Sequence, residues 1–514
     1  MSHIDVYKFN EVYYQLDIED GPSHELKDYL SFKMPNFWFY PKYKMGIWDG
    51  TISMFDMKTR MLPEGLFKKF IEFCNAFHHT YNLHFNTKDL YNNITIDEIY
   101  DYSEELMKNT VFDIYDYQAE ATLKAINKKT GIVVSPTASG KSLIIYHLIR
   151  YLMDNFNKSK ILLIVPSISL VEQMYNDFQS YGWDNCDANV KKLYSGKTYS
   201  HSVNKKGDQI PIVLVSTWQS LFRRPDEFFE PFDALLIDEV HGAGSTNKSG
   251  SNSVRNVSKK CVNAEYRVGF TGTLPVEVSD KFNIYSFLGP VIFTQDTKEL
   301  MDRGVLSQMA VANILLQYPE EIIEANKHSS YIGEVQRIEQ YADRDKVFSF
   351  IINNMGDGEN ALFLCRHIEH LKRIESYIKK KHGDKYKVYI IYKDVSAEKR
   401  ECIRQSVDKE ENVIIIATFA TMSTGVSIKR LHHVVAASSY KSKIKVLQSI
   451  GRGLRLHESK DQLIWWDIAD DLTWIGERGA HNKNHLYKHF ETRLQFYKQQ
   501  GFEIVNRKLD LKYK

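Results

Sequence analysis

Short apolar runs of four to six residues, each followed by a stretch with helical spacing, organise the middle of the chain. In residues 106–305 the runs are Gly131–Val134, Ile161–Val165, Ile212–Val215, Ala234–Ile237 and Tyr266–Phe270. Residues 306–480 repeat the theme with Ala361–Cys365, Lys387–Tyr392, Val413–Ala417 and His433–Ala437. Strand-length runs with no polar alternation, separated by helices, mark parallel strands covered on both faces. The pattern therefore predicts an α/β protein with two parallel-sheet lobes in tandem and a cleft between them. Residues 1–105 mix strand and helix signals and predict a small α/β domain. In residues 481–514, Leu486, Phe490, Leu494 and Tyr497 recur at helical spacing and predict a helical tail packed by that face. Gly242–Asn256, rich in Gly, Ser and Asn, reads as a mobile surface loop.

Composition narrows the class. With 514 residues the chain has room for three or four domains at ~100–200 residues each. A net charge of +2 supplies no global attraction to a polyanion, so any nucleic-acid surface must be local. Residues 481–514 are locally basic, with eight Lys/Arg against three Asp/Glu. The five cysteines are scattered and form no C-x-x-C pair, which disfavours a zinc site or disulfide framework and fits a reducing compartment. The first residues lack a basic-then-apolar signal pattern, and no apolar run reaches the ~18 residues of a membrane span. A cytoplasmic location with no membrane partner is expected.

Candidate chemistry starts with Ser135-Pro-Thr-Ala-Ser-Gly-Lys-Ser142, between an apolar run and a helix-like stretch. Strand, tight loop, helix is the setting a phosphate-binding loop requires. Backbone N–H groups of Pro136–Ser142 (proline's excepted) would cradle phosphates, Lys141 would neutralise their charge, and the Ser142 hydroxyl would ligate Mg²⁺. Roughly one hundred residues on, the apolar run at Ala234–Ile237 delivers Asp238 and Glu239 to a strand end. Asp238 is placed to hold Mg²⁺ and Glu239 to polarise the attacking water. In the second lobe, Gln448-Ser-Ile-Gly-Arg-Gly-Leu-Arg455 puts Arg452 and Arg455 three apart, so that they share one helix face. From there they could stabilise γ-phosphate charge in the transition state. Each piece has a blander alternative: a capped helix start, a solvated carboxylate pair, a basic surface helix.

Together, in this order on two α/β lobes, these motifs resemble the superfamily-two helicases, whose lobes are RecA-like. The resemblance spans about residues 110–470 and implies an ATP- and Mg²⁺-dependent motor. It implies that Gln118 reads adenine, that Gly425 belongs to the ATP site, and that His241 faces Gln448 across the cleft. Thr271 and Thr273, in Phe270-Thr-Gly-Thr273, would couple ATP state to strand binding. Pro166, Ser167, Thr217, Trp218, Gln219, Thr418 and Thr421 lie in segments like those that grip a nucleic-acid backbone. Arg366, directly after Ala361–Cys365, joins this set. Small hydroxyls can bond phosphate oxygens without reading bases, although an isolated Ser or Thr is as readily a helix cap. Ala138 stands where many relatives carry Gly, and it is expected to be tolerated if its φ stays negative.

Residues 36–60 interleave aromatics with Lys42, Lys44, Lys58 and Arg60, around Trp48. Basic groups beside aromatic faces suit backbone and base-stacking contacts; the alternative is a small domain using Trp38, Tyr40 and Trp48 as core. The run Pro41-Lys-Tyr-Lys-Met-Gly-Ile-Trp-Asp-Gly50 ahead of a helicase-like core is similar to the UvsW-type helicases of tailed phages. That resemblance implies unwinding or branch migration of forks, Holliday junctions, D-loops and RNA–DNA hybrids in recombination, repair and replication. It also implies phage recombination or single-strand-binding proteins as partners; a monomer is expected. Two other readings stay open: a double-stranded DNA translocase of restriction-motor type, and an ATP-switched DNA binding or annealing protein.

Overall fold

The computed structural model describes residues 2–197, 199, 212–244, 249–422, 428–440, 442–476 and 480–511. It divides into two compact units, Met1–Pro136 with Gly140–Gln295, and Thr137–Ser139 with Asp296–Lys514. Among the described residues, no helix is long and apolar enough to cross a membrane.

Among the described residues the first unit holds two larger sheets and a short antiparallel pair, Ser31–Lys33 with Thr51–Ser53. The N-terminal one is mixed, ordered Met61–Pro63, Tyr13–Asp17, His3–Lys8, Thr80–Leu83, with the last two strands parallel. Alternation of Ile4 and Val6, and of Tyr14 and Leu16, puts one face of this sheet against Phe70 and Phe73 of the helix Phe67–Ala76. The second sheet is wholly parallel. From edge to edge its strands are Val291–Thr294, Thr130–Val134, Tyr266–Thr271, Ala234–Ile237, Lys160–Val165, Ile212–Thr217 and Val190–Leu193. Its central strands are buried on both faces, as their continuous apolar runs require.

The two larger sheets of this unit share a packed boundary. Phe282 and Tyr285, on the helix Val278–Leu288, pack against the N-terminal core. Gly65 comes so close that an added Cβ would sit 1.8 Å from the Tyr285 carbonyl oxygen. Next to it, Glu64 Oε1 accepts from Thr130 Oγ1 at 3.3 Å, while its Oε2 is enclosed with no hydrogen-bond partner among the described residues. Burial pushes the Glu64 carboxyl up to about 7, partly opposed by Arg267. Below pH 4.5 the group is protonated both folded and unfolded, and nothing is lost. Between pH 4.5 and about 7 the unfolded chain ionises first, so stability falls by up to ~3 kcal/mol as pH rises. Glu64→Gln is therefore expected to raise the melting temperature at pH 8 and flatten its pH dependence below 7. Melting curves across this range check it, and an unchanged slope would assign the titration to another group.

The second unit carries another parallel sheet: Lys387–Ile391, Val413–Thr418, Ala361–Cys365, His433–Ala436, Gln462–Asp471, Gln308–Gln317 and Glu503–Asp510. Two parallel sheets in tandem with a small α/β region ahead of them match the expected fold class. Three details differ. The tail is not only helical: after the helix His485–Gln499, Glu503–Asp510 adds an edge strand beside Gln308–Gln317. The helix is anchored by buried Arg493, which binds Asp467 through two bonds of 2.7 and 2.8 Å. Second, Gln308–Gln317 is itself a strand that the sequence pattern did not single out. Third, part of the predicted loop Gly242–Asn256 is helical, because Val254, Val257 and Cys261 recur at helical spacing and are buried in the helix Ser249–Lys260 or at its end.

Candidate functional site

Five predicted residues converge at the carboxyl ends of neighbouring strands in the first parallel sheet. Thr130–Val134 runs into the loop at Ser135, whose N–H donates to the Thr271 carbonyl at 2.9 Å. The loop ends at Gly140, in the left-handed region with φ +79°, and the helix Lys141–Phe156 begins. The start of a helix, with its N–H groups and the positive end of its dipole, favours an anion. Gly140 is needed for a second reason: a Cβ there would stand 2.4 Å from Gln118 Nε2. The Gln118 amide thus reaches the loop, held from behind by the Tyr115 N–H on its Oε1 at 3.0 Å. Pro136, Thr137 and Ser139 complete the loop. The condition set for Ala138 is not met: its φ is +71°, not negative. A side chain in this region costs roughly 1–2 kcal/mol, so the loop holds strain where a glycine would hold none.

Lys141 Nζ lies 3.4 Å from the Ser135 carbonyl oxygen and 3.8 Å from Glu239 Oε1. The Ser142 hydroxyl sits 2.8 Å from that of Tyr181, a partner that sequence reasoning missed. Tyr181 carries no motif, being brought in by the end of a neighbouring helix. Tyr115 was also missed; it stacks on Tyr117 at 5.7 Å and is half exposed beside the Gln118 segment. Spacing relative to Gln118 was the available signal.

The buried strand Ala234–Ile237 ends at Asp238 and Glu239. Asp238 is enclosed, and loss of water pushes its carboxyl up to about 7; Glu239 adds to this while Lys141 pulls it down. Glu239 has φ +50°, a strained conformation for a residue with a side chain. In that conformation Glu239 Oε2 lies 3.1 Å from His241 Nδ1. The same ring nitrogen is 3.0 Å from Thr271 Oγ1, which donates to the Thr273 carbonyl at 3.0 Å. Lys141, Glu239, His241, Thr271 and Thr273 therefore form one continuous chain of contacts. Such a chain can relay what happens at a bound phosphate to the Thr271–Thr273 turn.

The predicted backbone-gripping residues divide. Pro166 and Ser167 follow the strand Lys160–Val165, and Thr217 ends its neighbour, where Thr217 pairs with Val165. The sheet thus sets them side by side. Ser167 also caps the helix Ile168–Ser180, accepting from the Leu170 N–H at 3.4 Å. Thr217 Oγ1 is 3.1 Å from Ser220 Oγ, Trp218 packs on the core, and Gln219 is exposed. In the N-terminal region, Lys42 and Lys44 lie exposed on the short helix Pro41–Lys44. Trp48 is half-buried, its Nε1 donating to the Thr51 carbonyl at 2.7 Å. Around them Trp38, Phe39, Met45 and Ile47 are 50, 67, 63 and 70% exposed, while half-buried Tyr40 packs edge-on against Trp48 at 6.0 Å.

In the second unit, Arg366 stacks on Tyr331 at 5.1 Å and donates to its hydroxyl. The Thr418 and Thr421 hydroxyls are buried 2.6 Å apart, and Thr418 caps the short helix Phe419–Met422. Gln448 and Arg452 lie on the helix Lys443–Gly453. Arg455 falls beyond its end, so the two arginines do not share one helix face as predicted. Gly425 lies outside the described residues.

Three family models match the chain. "DNA helicase UvsW, N-terminal" covers residues 4–86, and with them Lys42, Lys44 and Trp48. "Type III restriction enzyme, res subunit" covers 111–276, which contain the Lys141–Thr273 contacts. "Helicase conserved C-terminal domain" covers 343–457, which contain Arg366 and Arg455. The ATP-dependent DNA helicase uvsW of Enterobacteria phage T4 is 32% identical over 506 residues, 97% of each chain. The DNA 3'-5' translocase XPB2 of Sulfurisphaera tokodaii is 21% identical over 393 residues, 70% of this chain and 82% of its own. The crystal structure of T4 UvsW shares 28% identity with a TM-score of 0.50, covering 99% of this chain and 100% of that one.

Proposed function

Since the chain belongs to the UvsW family of ATP-dependent DNA helicases, we propose that it couples ATP hydrolysis to remodelling of branched nucleic acid: forks, Holliday junctions, D-loops and R-loops. The observation that carries this is the unbroken series of contacts from Lys141 through Glu239 and His241 to Thr271 and Thr273. Gln118 and the loop Pro136–Ser142 hold the nucleotide. Lys141 neutralises phosphate charge and Glu239 orients the attacking water. Arg452 and Arg455 meet the charge that develops on the γ-phosphate, and Gln448 answers to His241. Gly425 completes the nucleotide site.

Mg²⁺ fits the donors present. Asp238 is a buried carboxyl driven up by loss of water, and a divalent cation would restore its charge. With the Ser142 hydroxyl it would hold the ion, which supplies Lewis-acid stabilisation of phosphate charge.

Lys42, Lys44 and the exposed aromatics around Trp48 supply the branched-DNA contact, with Pro166, Ser167, Thr217, Trp218, Gln219, Arg366, Thr418 and Thr421 gripping the backbone. Deleting residues 1–100 would strip cover from Phe282 and Tyr285, so point substitutions are the cleaner test. Lys42→Ala/Lys44→Ala/Trp38→Ala is expected to weaken forked-DNA binding by about tenfold in 0.1 M salt and to lower the salt slope by ~2. Basal ATPase activity should not change. Unaltered affinity and slope would show that this patch does not touch DNA.

The match to a restriction-motor model over residues 111–276 favours one alternative, a translocase that follows duplex without opening it. Forked-duplex displacement set against triplex displacement separates the two, since a pure translocase clears only the triplex. An ATP-switched binder would show negligible turnover at saturating branched DNA.

A further inference from the structure

Arg455 lies past the helix Lys443–Gly453, so no helical hydrogen bond fixes the backbone that carries it. Its surroundings are nonetheless closely tied. Lys460 is buried, and its ammonium donates to the carbonyl oxygens of Gly453 and Arg455, both at 2.6 Å, and of Lys429 at 3.4 Å. Ser307 works from another element: its N–H donates to the Leu454 carbonyl at 2.8 Å, and its hydroxyl to that of Arg455 at 3.0 Å. The carbonyls of residues 453, 454 and 455 are therefore each held.

We propose that Lys460, assisted by Ser307, is a positioning residue for Arg455, fixing the turn from which the guanidinium must reach developing phosphate charge. The inference rests on the reading of Arg455 as that transition-state cation.

Burial at this position is costly for a lysine. No carboxylate pairs with Lys460 among the described residues, and burial pushes its ammonium down to about 8. A buried cation without a counter-charge is poor value for stability alone, since an apolar residue of like volume is often tolerated as well. At a helix end, however, an ammonium satisfies the carbonyls left over by the helix and faces the negative end of its dipole. Three oxygens replace the water that Lys460 gives up, and two of them belong to the segment 453–455. The buried arginines of the second unit hold side-chain carboxylates, Arg344 that of Asp470 and Arg493 that of Asp467. Lys460 holds backbone, and so acts on the path of the chain.

The test is steady-state hydrolysis by the full chain at saturating forked DNA, with four variants: Lys460→Met, Ser307→Ala, Arg455→Ala and the double Lys460→Met/Arg455→Ala. Lys460→Met is expected to lower kcat by about tenfold or more with KM for ATP within ~2-fold, while adding less than ~2-fold in the Arg455→Ala background. Ser307→Ala should lower kcat by about threefold, again without moving KM, and carries the same test if Lys460→Met fails to fold. Wild-type kcat in both Lys460→Met and Ser307→Ala, alongside a large loss in Arg455→Ala, overturns the positioning role and spares the reading of Arg455. Equal losses from Lys460→Met in both backgrounds also overturn it, since the lysine would then act elsewhere. Wild-type kcat in Arg455→Ala removes the premise itself.

Discussion

Lys141→Ala is expected to cut DNA-stimulated ATP hydrolysis by at least ~10²–10³-fold, the cost of removing one well-placed cationic donor from developing charge. Branched DNA should still bind. The loss has two sources in the structure. The ammonium faces the loop interior, near the Ser135 carbonyl and Glu239, where phosphate charge would otherwise go unmet. It also lowers the acidity threshold of Asp238, which burial and Glu239 already raise to about 7. Without Lys141 that pull is lost, and the charged form of the carboxyl is held less well. Turnover measured beside fluorescence anisotropy on forked DNA separates catalysis from binding. Wild-type turnover in the variant would mean that hydrolysis does not occur at this loop.

Arg455→Ala is expected to lower kcat by ~10³-fold, or about 4 kcal/mol of transition-state stabilisation, with KM for ATP changed by no more than a few-fold. An arginine that meets charge only as it develops contributes to the chemical step and little to ground-state binding. Arg455→Lys should recover only a small part, because an ammonium lacks the planar fork that spans two phosphate oxygens. A rise in KM at constant kcat would make Arg455 a nucleotide-binding contact instead.

How far such residues can be read from sequence depends on what surrounds them. Ile161–Val165, Ala234–Ile237 and Val413–Ala417 were legible because strands buried on both faces have no polar positions to blur the run. Glu503–Asp510 was not, since an edge strand exposed along most of its length reads as polar. The Met309–Leu316 stretch is apolar, but a run of that kind does not tell strand from helix without flanking punctuation. The loop and the Asp238–Glu239 pair were legible as spacing, whereas the φ of Ala138 and Glu239 leaves no mark in residue types. Whether Thr418 and Thr421 face a phosphate or one another is decided by a 2.6 Å separation that no spacing encodes. Lys460 escaped notice because its partners are carbonyls, which every residue has.

The place of Gln308–Gln317 in its sheet bears on how the protein is made. Both of its strand neighbours, Gln462–Asp471 and Glu503–Asp510, come from late in the chain. Roughly 190 residues separate it from the outer partner, which at ~5–20 residues per second is ~10–40 s of translation. Until Gln462–Asp471 is made, about 145 residues on, this ten-residue, largely apolar strand has both edges bare, and its outer edge stays bare until Glu503–Asp510 arrives. Nascent chains crowded on one message can pair through those edges before their own late strands arrive. Slower initiation, or a chaperone that covers the stretch until synthesis reaches the last strand, should therefore raise the yield of native protein more than any change at the loop or the arginines.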